Sequence, residues 1–482
     1  MMARKILITG STGYIGRRLK NRLLQRSDLE IRLLVRDRDK VRKSVIQQVE
    51  IVEGDTFNVS KLREALQDID TAYYLIHSMG ADADFEERDR VSAENFRDAC
   101  IECGVKRIIY LGGLGVKETA SKHLMSRIET GEILSAKSEK IQTLWFRAGI
   151  IIGSGSASFE IVRNLVQKLP IMVTPKWVTT LTQPIAITDV LDYLTFALDV
   201  EVSGDLIVDI GTDPVSFKGM MKKTATVMKL PRMMFPIPVL SPKLSSYWLI
   251  LFTPVPFQMA AALVEGLKSE TVLQNDHAAT YFPRITPMTF EESVAAAVEE
   301  MEQDQVLSRW SDSSGGEVSD VEGQDDTSSA IYRSQHTFSL NGHSPDTVFQ
   351  SVCSLGGEKG WFILDFLWQV RGIIDKLAGG YGLNRGRRSR ERLRVGDALD
   401  FWKVVDIKEN KRLLLVAQMK LPGKAWLEFD LQPDQLVQTA HFHPQGLLGR
   451  LYWLLMLPFH DIIFANLGKR VVNHAMLTDS GQ

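Results

Sequence analysis

Near its amino terminus the chain reads Lys5-Ile6-Leu7-Ile8-Thr9-Gly10-Ser11-Thr12-Gly13-Tyr14-Ile15-Gly16. A short apolar run enters a loop with three glycines at three-residue spacing, and a helical pattern follows directly. In such a loop the first glycine permits a tight turn, the second lets the backbone approach a ligand, and the third allows close helix–strand packing. Free backbone N–H groups and the positive end of the helix dipole then favour an anion. The context predicts a dinucleotide pyrophosphate site at Gly10–Gly16, with a plain strand–helix turn as the alternative.

Outward from this loop, the first 150 residues alternate short strand-like runs with helical patterns. Strands are predicted at residues 5–9, 31–35, 49–52, 71–76, 107–111 and 143–146, and helices at about 14–25, 60–66, 85–103 and 126–138. Strands that alternate with helices form a parallel sheet covered on both faces. The predicted fold class is therefore α/β, with a doubly wound parallel-sheet Rossmann domain.

Changes in composition divide the chain into three parts. Residues 1–303 are predicted to form the Rossmann domain with a small substrate lobe, mainly at 153–303. The last helix of this lobe starts at a capping box of Thr289 and Glu292. Residues 304–330 contain seven acidic residues and one arginine among many Ser and Gly, which predicts an acidic flexible linker. Residues 331–482 then form a separate C-terminal domain.

The C-terminal domain has the pattern of an antiparallel meander followed by a helix. Strand-like runs at 397–406, 412–420, 424–431 and 435–442 are separated by turn sequences. Residues 446–474 form a long apolar helical pattern that Pro458 is expected to kink. We therefore predict a C-terminal α+β domain. Strands of period two around an apolar helix need either a packed core or a bound ligand, and both stay open.

Composition excludes several classes of protein. The 482 residues are 44% hydrophobic and 24% charged with a formal net charge of −2, so no nucleic-acid partner is expected. Three cysteines argue against a disulfide framework and fit a reducing, cytoplasmic location. The longest uncharged stretch, residues 247–264, is short for a membrane span and contains Pro254 and Pro256. An apolar surface that docks on a membrane stays open.

Two charged or reactive patterns have simpler interpretations. Cys100-x-x-Cys103 closes a helix, whereas reactive thiol pairs lie at helix starts, so small core residues are the better interpretation. No metal site is predicted, because no second cysteine pair is near in sequence. The run Arg385–Arg394 contains six arginines. It suits phosphate, nucleic acid or anionic lipid, but a solvated loop is the usual role of such a run.

The choice of cofactor depends on the end of the second strand. An acid twenty residues past the glycine loop would bind a ribose 2′-hydroxyl, whereas an arginine accommodates a 2′-phosphate. Arg36 stands there, and Arg17 is a candidate second phosphate contact, so NADP is favoured. Asp37 follows directly and keeps NAD open. Asp55, after the third strand, is expected either to accept from the adenine amino group or to form an Asx turn.

Several motifs beyond the glycine loop support a family resemblance. They are Gly54-Asp55, Tyr74-Leu75-Ile76-His77-Ser78-Met79, Ile109-Tyr110-Leu111-Gly112-Gly113-Leu114-Gly115, His123-Leu124-Met125-Ser126-Arg127, Arg147-Ala148-Gly149-Ile150-Ile151-Ile152-Gly153 and Gln183-Pro184-Ile185-Ala186-Ile187. Over residues 4–302 the chain resembles the atypical and extended short-chain dehydrogenases/reductases. It is most similar to the NmrA-like, NAD(P)-binding group that includes the nucleotide-binding accessory subunit of respiratory complex I.

The resemblance implies a cofactor site and a departure at the catalytic centre. It implies cofactor contacts at Gly10, Ser11, Thr12, Gly13, Tyr14, Ile15, Gly16, Arg17, Arg36, Asp55, His77 and Gly112. Catalytic relatives carry Tyr-x-x-x-Lys at the start of the helix after strand five, and a Ser or Thr at the end of that strand. Here the strand ends in Gly112-Gly113, and the helix matches best as His123-x-x-x-Arg127. The pair can exchange a proton and hold a ribose, or it marks a lost active site.

Two apolar regions bear on the ligand. Trp248–Phe257 falls in the substrate lobe of the resembling family, where it favours a greasy substrate such as a quinone, isoprenoid or acyl compound, against plain core packing. Asp400–Val405 and Met419–Phe429 resemble an uncharacterised domain fused to this dehydrogenase type, similar to START-like helix-grip proteins. Such folds enclose an apolar ligand, so an apolar small molecule is the expected partner.

Three functions compete at this point. The first is an NADP-dependent oxidoreductase or isomerase of an apolar small molecule. The second is a non-catalytic NAD(P)H-binding sensor or assembly factor with a ligand or partner module. A nucleotide-sugar epimerase or dehydratase is the third and weakest, because the apolar lobe lacks an obvious sugar-phosphate site.

Overall fold

The computed structural model describes residues 3–38, 41, 43–76, 85–237, 264–266, 269–302, 327, 330–356, 393, 395, 397–419 and 421–479. The described residues divide into two compact units, 3–302 and 327–479.

The first unit contains thirteen strands among its described residues. They are β1 (Arg4–Thr9), β2 (Leu29–Val35), β3 (Glu50–Glu53), β4 (Thr71–Tyr74), β5 (Arg107–Gly113), β6 (Gln142–Ala148), β7 (Ile151–Ile152), β8 (Ile171–Pro175), β9 (Leu181–Thr182), β10 (Ile185–Ala186), β11 (Leu206–Ile210), β12 (Val215–Ser216) and β13 (Met233–Ile237). Seven of them form one sheet in the order β11-β6-β5-β4-β1-β2-β3, and all its neighbours pair in parallel.

The observed sheet confirms the predicted fold class. Six of its strands were expected from the sequence. The seventh, β11, lies in the lobe, where the mixed pattern gave no strand prediction, and it pairs with β6 at the outer edge. The strand order reverses between β1 and β4, which is where open α/β sheets bind their ligands.

The helices of the first unit are α1 (Tyr14–Leu23), α2 (Lys43–Ile46), α3 (Val59–Leu66), α4 (Phe85–Glu102), α5 (Lys122–Ser135), α6 (Ala157–Lys168), α7 (Ile187–Phe196), α8 (Phe217–Val227), α9 (His277–Tyr281) and α10 (Phe290–Glu302). One buried apolar cluster joins the sheet to α1 and α7. A second cluster on the other face joins it to α3, α4 and α5 and includes Cys100, as expected for a small core residue.

Hydrogen bonds at helix starts fix where α5 begins and form the capping box before α10. Helix α5 begins four residues earlier than predicted, because Ser121 Oγ accepts from the backbone N–H of Leu124 and caps the helix there. His123 therefore lies in its first turn. The capping box before α10 is confirmed, since Thr289 N–H donates to Glu292 at 2.8 Å and Glu292 N–H donates to Thr289 Oγ1 at 3.3 Å.

The second unit is an antiparallel sheet with two helices among its described residues. Its elements are β14 (Tyr332–Ser339), α11 (Pro345–Cys353), β15 (Ala398–Leu399), β16 (Trp402–Lys408), β17 (Arg412–Ala417), β18 (Gly423–Leu431), β19 (Gln435–Pro444) and α12 (Gly446–Asp479). The sheet order is β14-β19-β18-β17-β16-β15. Apolar side chains of α11 and of the carboxyl-terminal half of α12 pack on one face of it.

Helix α12 is not straight. Its segments Leu448–Leu457 and Ile462–His474 meet at an angle of 58°. The bend falls between Leu457 and Ile462, the stretch in which the sequence predicts a kink at Pro458. Among the described residues no single helix is long and apolar enough to cross a membrane, although these two bent segments together meet the length and composition such a span requires.

Candidate functional site

The glycine loop lies between β1 and α1, beside the reversal of strand order. Gly10 has φ +65°, and a Cβ there would overlap the carbonyl oxygen of Leu75 after β4. A Cβ on Gly16 would overlap the carbonyl oxygen of Gly10. Both positions therefore need glycine, the first for backbone conformation and space and the second for space alone. Gly13 supplies the N-cap of α1 with no side-chain cap, so the first N–H groups of the helix face the loop.

The loop also contains a buried serine hydroxyl. Ser11 is 1% exposed, and its Oγ makes no hydrogen bond with the described residues. Such an atom is costly unless a ligand satisfies it. The carbonyl of Thr12 accepts from Arg17 Nε at 2.8 Å, which folds the guanidinium back along the loop. Ile15 packs against the apolar core below.

Tyr14 joins the loop to the lobe. Its hydroxyl lies 2.6 Å from the position a Cβ on Gly153 would take, and the guanidinium of Arg18 lies 5.1 Å from its ring centroid. Burial raises the pKa of Tyr14 well above its ordinary value of about 10. The phenol therefore stays neutral and positions the loop. Arg18 bonds to Ser154 and to Glu300 at 2.7 Å, which fixes α1 against the lobe.

Arg36 follows β2 directly and is exposed. It makes no hydrogen bond or ion pair with the described residues, so its guanidinium is available to a ligand phosphate. The amide of Gly54 donates to the carbonyl of Val35 at 2.8 Å, which brings the end of β3 beside it. Asp55 Oδ1 accepts from Phe57 N–H at 2.9 Å and Asn58 N–H at 3.0 Å. This is the Asx-turn arrangement, and it leaves Oδ2 for an adenine contact.

The end of β5 has no space for the side chain of a catalytic Ser or Thr. A Cβ on Gly112 would lie 2.6 Å from Trp145 Nε1 and 2.9 Å from the Tyr110 ring. A Cβ on Gly113 would lie 2.6 Å from Leu124 Cδ1. Side chains of neighbouring elements therefore occupy the space that a Ser or Thr would need.

His123 stands in the first turn of α5 against the start of α4. Its ring stacks on Phe85 with centroids 4.5 Å apart and planes 16° apart. Burial, and then the charge of Arg127, lower the pKa of His123 below its ordinary value of about 6.5. The imidazole is therefore neutral at pH 7. The sequence analysis missed Phe85, whose signal was its position at the first turn of the helix that follows β4.

Arg127 lies one turn after His123, on the same face of α5. Its Cδ is 3.4 Å from the position a Cβ on Gly113 would take, so the side chain lies against the end of β5. The guanidinium makes no hydrogen bond or ion pair with the described residues. Burial lowers the pKa of Arg127 from its ordinary value. A half-buried cation with no bonded partner among the described residues is a candidate contact for a phosphate, ribose or carboxylate.

A contrasting arginine lies on the neighbouring strand. Arg147 at the end of β6 makes a bidentate pair with Asp209 of β11, at 2.6 and 2.9 Å. Asp209 is fully buried and also accepts from Gln274 N–H at 2.6 Å. Arg147 therefore holds the lobe to the edge of the sheet through this ion pair. The predicted site residues thus fall into two groups. At the carboxyl ends of β1, β2 and β3 lie Gly10–Gly16, Arg17, Arg36 and Asp55. At the end of β5 and the start of α5 lie Gly112, His123 and Arg127.

Some sequence predictions fall outside the described residues. They are His77, the apolar segment Trp248–Phe257, the basic run Arg385–Arg394 apart from Leu393, and nearly all of the linker 304–330. Among the described residues no group of His, Cys, Asp or Glu could hold a metal ion. The steric need for Gly10 and Gly16, together with the unsatisfied Ser11 hydroxyl, fits a dinucleotide.

Comparisons with known proteins agree with the geometry. Residues 10–144 match a family described as NAD(P)H-binding, and residues 327–467 match a family of unknown function, DUF2867. No curated protein matches the chain.

Solved structures resemble the first unit. A triphenylmethane reductase from Citrobacter sp. is 19% identical with a TM-score of 0.50, over 61% of this chain and 99% of that one. A nucleoside-diphosphate-sugar epimerase from Staphylococcus aureus is 15% identical with a TM-score of 0.49, over 60% and 99%. A UDP-glucuronic acid 4-epimerase from Bacillus cereus, solved with NAD, is 15% identical with a TM-score of 0.48, over 62% and 99%. The first unit thus has a Rossmann-like fold whose residues 10–144 match an NAD(P)H-binding family, and the match to DUF2867 lies in the second unit.

Proposed function

We propose that this protein is an NADP-dependent oxidoreductase of an apolar small molecule, with the second unit binding an apolar ligand. The observation that carries the proposal is the half-buried guanidinium of Arg127, which makes no hydrogen bond or ion pair with the described residues and lies one helical turn from His123 at the end of β5. Cations that are partly removed from water without a bonded partner are costly, and they cluster at sites that bind or react.

The two side chains supply different parts of the chemistry. Arg127 stays charged in an enclosed position and binds an anionic or hydroxylated group beside the strand end. His123 changes protonation below pH 7 and exchanges a proton with a substrate oxygen. The nicotinamide cofactor, when bound, supplies or accepts the hydride. Because Trp145 and Leu124 fill the space beside Gly112 and Gly113, this centre works without a strand-end hydroxyl.

We propose NADP over NAD because of the residue that follows β2. Arg36 is exposed, makes no hydrogen bond or ion pair with the part of the chain that the structure describes, and follows β2 at the position that accommodates a 2′-phosphate. Arg17 is already bonded to Thr12, so its part is to shape the loop and add positive potential near the phosphates.

A second candidate function is a non-catalytic NADPH sensor. The filled space beside Gly112 and Gly113 favours it, because a cofactor site can persist after the usual catalytic hydroxyls are lost. The two functions differ in whether His123 is needed for turnover.

The test measures NADPH oxidation by the full chain with short-chain quinones and apolar aldehydes. We expect turnover in the wild type and about a 100-fold loss of kcat in His123→Gln, the scale of one acid–base group. His277→Gln changes a half-buried histidine of the same unit, whose Nδ1 lies 2.7 Å from the Ile207 carbonyl oxygen, and is the matched control, with kcat unchanged. NADPH affinity should stay within about twofold in both variants, since neither side chain is assigned to cofactor binding.

The pH dependence gives a separate readout. Because burial lowers the pKa of His123, the protonated form is lost as pH rises through a value below about 6.5. Quinone reduction that takes its proton from His123 should therefore decline across that window, and His123→Gln should flatten the profile. A wild type that binds NADPH tightly but oxidises it with none of these acceptors would favour the sensor.

A further inference from the structure

A buried carboxylate lies beside the helix that carries His123 and Arg127. Asp89, on the second turn of α4, is 7% exposed, and it accepts a hydrogen bond from Ser126 Oγ at 2.9 Å. Ser126 is buried as well, and it lies between His123 and Arg127 on α5. The bond therefore joins α4 to the turn of α5 on which both members of this pair lie.

The packing of the two helices places Asp89 level with the pair. Contacts follow the same order along both helices, so α4 and α5 run side by side in one direction. Phe85 of α4 stacks on His123, and one turn further along α4, Asp89 meets Ser126. Residues three or four apart lie on one face of a helix, so Phe85 and Asp89 share the face that meets α5. Arg127 lies one turn after His123, which is the level of Asp89.

The charge of Asp89 acts on both members of the pair. Burial lowers the pKa of His123, and the charge of Arg127 lowers it further. Three carboxylates raise it, those of Glu265, Asp89 and Glu86. Asp89 is the buried one of the three, so solvent and salt screen its charge least. Burial also lowers the pKa of Arg127, and the charge of Asp89 opposes that effect. The carboxylate therefore favours the charged form of both side chains.

The hydrogen bond to Ser126 does not by itself need a carboxylate. The side-chain oxygen of an asparagine accepts from a hydroxyl equally well. A carboxylate adds a negative charge where water is largely excluded, and burying a charge costs free energy unless other groups compensate it. Arg127 and the protonated form of His123 are positive groups on the facing turn. The charge of Asp89 is therefore explained by its effect on these two side chains.

We propose that Asp89 is a positioning residue for the pair His123 and Arg127. Through Ser126 it holds the turn of α5 that carries the pair, and its charge offsets the positive charge of the pair beside the end of β5. This inference rests on the proposed function of the pair and adds the group that sets its position and charge.

The first arm of the test needs no turnover. Asp89→Asn keeps an acceptor for Ser126 and removes the charge. The full chain is labelled with ¹³C-histidine, and the His123 resonance is assigned by its loss in His123→Gln. In Asp89→Asn, His123 should titrate at a pH lower by about 0.5 or more than in wild type, because a nearby negative charge is lost.

Asp98→Asn is the matched control for this titration. Asp98 lies further along α4 and is partly exposed, and its carboxylate accepts from Lys137 at 2.9 Å. Its removal should leave the titration of His123 unchanged. A His123 titration that is the same in Asp89→Asn as in wild type would overturn the inference.

The second arm separates position from charge by turnover. Asp89→Asn should lower kcat by about tenfold, less than the loss of His123 itself, and the decline of activity with rising pH should begin at a lower pH. Ser126→Ala removes the bond and leaves the charge, so kcat should fall while the decline stays at its wild-type pH. NADPH affinity should stay within about twofold in both variants, because neither residue is assigned to cofactor binding.

The outcomes distinguish this inference from the proposed function. An unchanged kcat in Ser126→Ala, or equal losses in both variants with no change in the pH profile, would overturn the positioning role of Asp89. A wild type without turnover contradicts the proposed function, and the histidine titration then decides the inference by itself.

Discussion

The two halves of the sheet edge in the first unit differ in how closely they match the site of the dehydrogenases that the sequence resembles. At the β1 and β2 ends, Gly10 and Gly16 are required by space, and Arg36 makes no hydrogen bond or ion pair with the described residues. At the β5 end, Gly112 and Gly113 stand where the resemblance would place a hydroxyl, and Trp145 and Leu124 occupy the space beside them. Backbone geometry shapes the first half, whereas packed side chains shape the second. The comparison teaches that a glycine loop suited to a dinucleotide does not by itself bring the usual catalytic hydroxyl with it.

The largest expected effect comes from the loop itself. Gly10→Ala should lower NADPH affinity by about 100-fold or more, equal to about 2.7 kcal/mol, because its methyl group overlaps the Leu75 carbonyl. Calorimetric titration of the full chain measures it. Gly104→Ala is the control, since Gly104 has φ +73° but nothing within 4 Å of a Cβ. Equal losses in the two variants would mean that strain at a left-handed glycine elsewhere in the unit is enough to lower the affinity, and that the close approach of Gly10 to Leu75 is not the cause.

A second comparison, of about the same size but measured on stability, separates the two arginines near the ends of β5 and β6. Arg147→Met leaves the fully buried Asp209 without its bidentate partner and should cost about 3 kcal/mol of unfolding free energy. Arg127→Met removes a cation that makes no hydrogen bond or ion pair with the described residues, so it should leave stability unchanged or higher while weakening NADPH binding or turnover. Denaturant unfolding measures the first and titration the second. A large stability loss in Arg127→Met would show a structural role and remove it from the proposed site.

The smallest effect concerns the choice between two cofactors. Arg36→Ala should weaken NADPH binding by about tenfold and leave NADH binding unchanged, since one charge-assisted contact to the 2′-phosphate is lost. Arg38→Ala, another exposed arginine two residues on, is the matched control and should change neither. Parallel losses for NADPH and NADH in Arg36→Ala would contradict a 2′-phosphate contact.

The sequence predicted the first unit well because its strands are continuous apolar runs bounded by helical patterns. The strand β11 was missed, since Leu206–Ile210 is one short run inside a lobe of mixed pattern. In the second unit the meander was predicted, but β14 and α11 were not. Strand β14 was missed because its inner face includes the polar residues Ser334 and His336, so the strand lacks the apolar alternation that predicts a half-buried strand.

The sequence predicted those parts of the candidate site whose residues lie close together along the chain. The glycine loop and Arg36 follow from one strand–loop–helix pattern, and His123-x-x-x-Arg127 from one helical turn. What the sequence could not give were contacts between distant elements, such as Phe85 on His123 or Leu124 beside Gly113. These depend on how α4 and α5 pack on the sheet, and they decide whether the strand end is open or filled.

The measurement that tests the central claim most directly is calorimetric titration of the wild-type full chain with NADPH and with NADH. We predict that both bind and that NADPH binds about tenfold more tightly, the scale of one contact to its extra phosphate. Binding of neither dinucleotide would contradict the assignment of Gly10–Gly16 as a cofactor loop. Tighter binding of NADH would contradict the role given to Arg36.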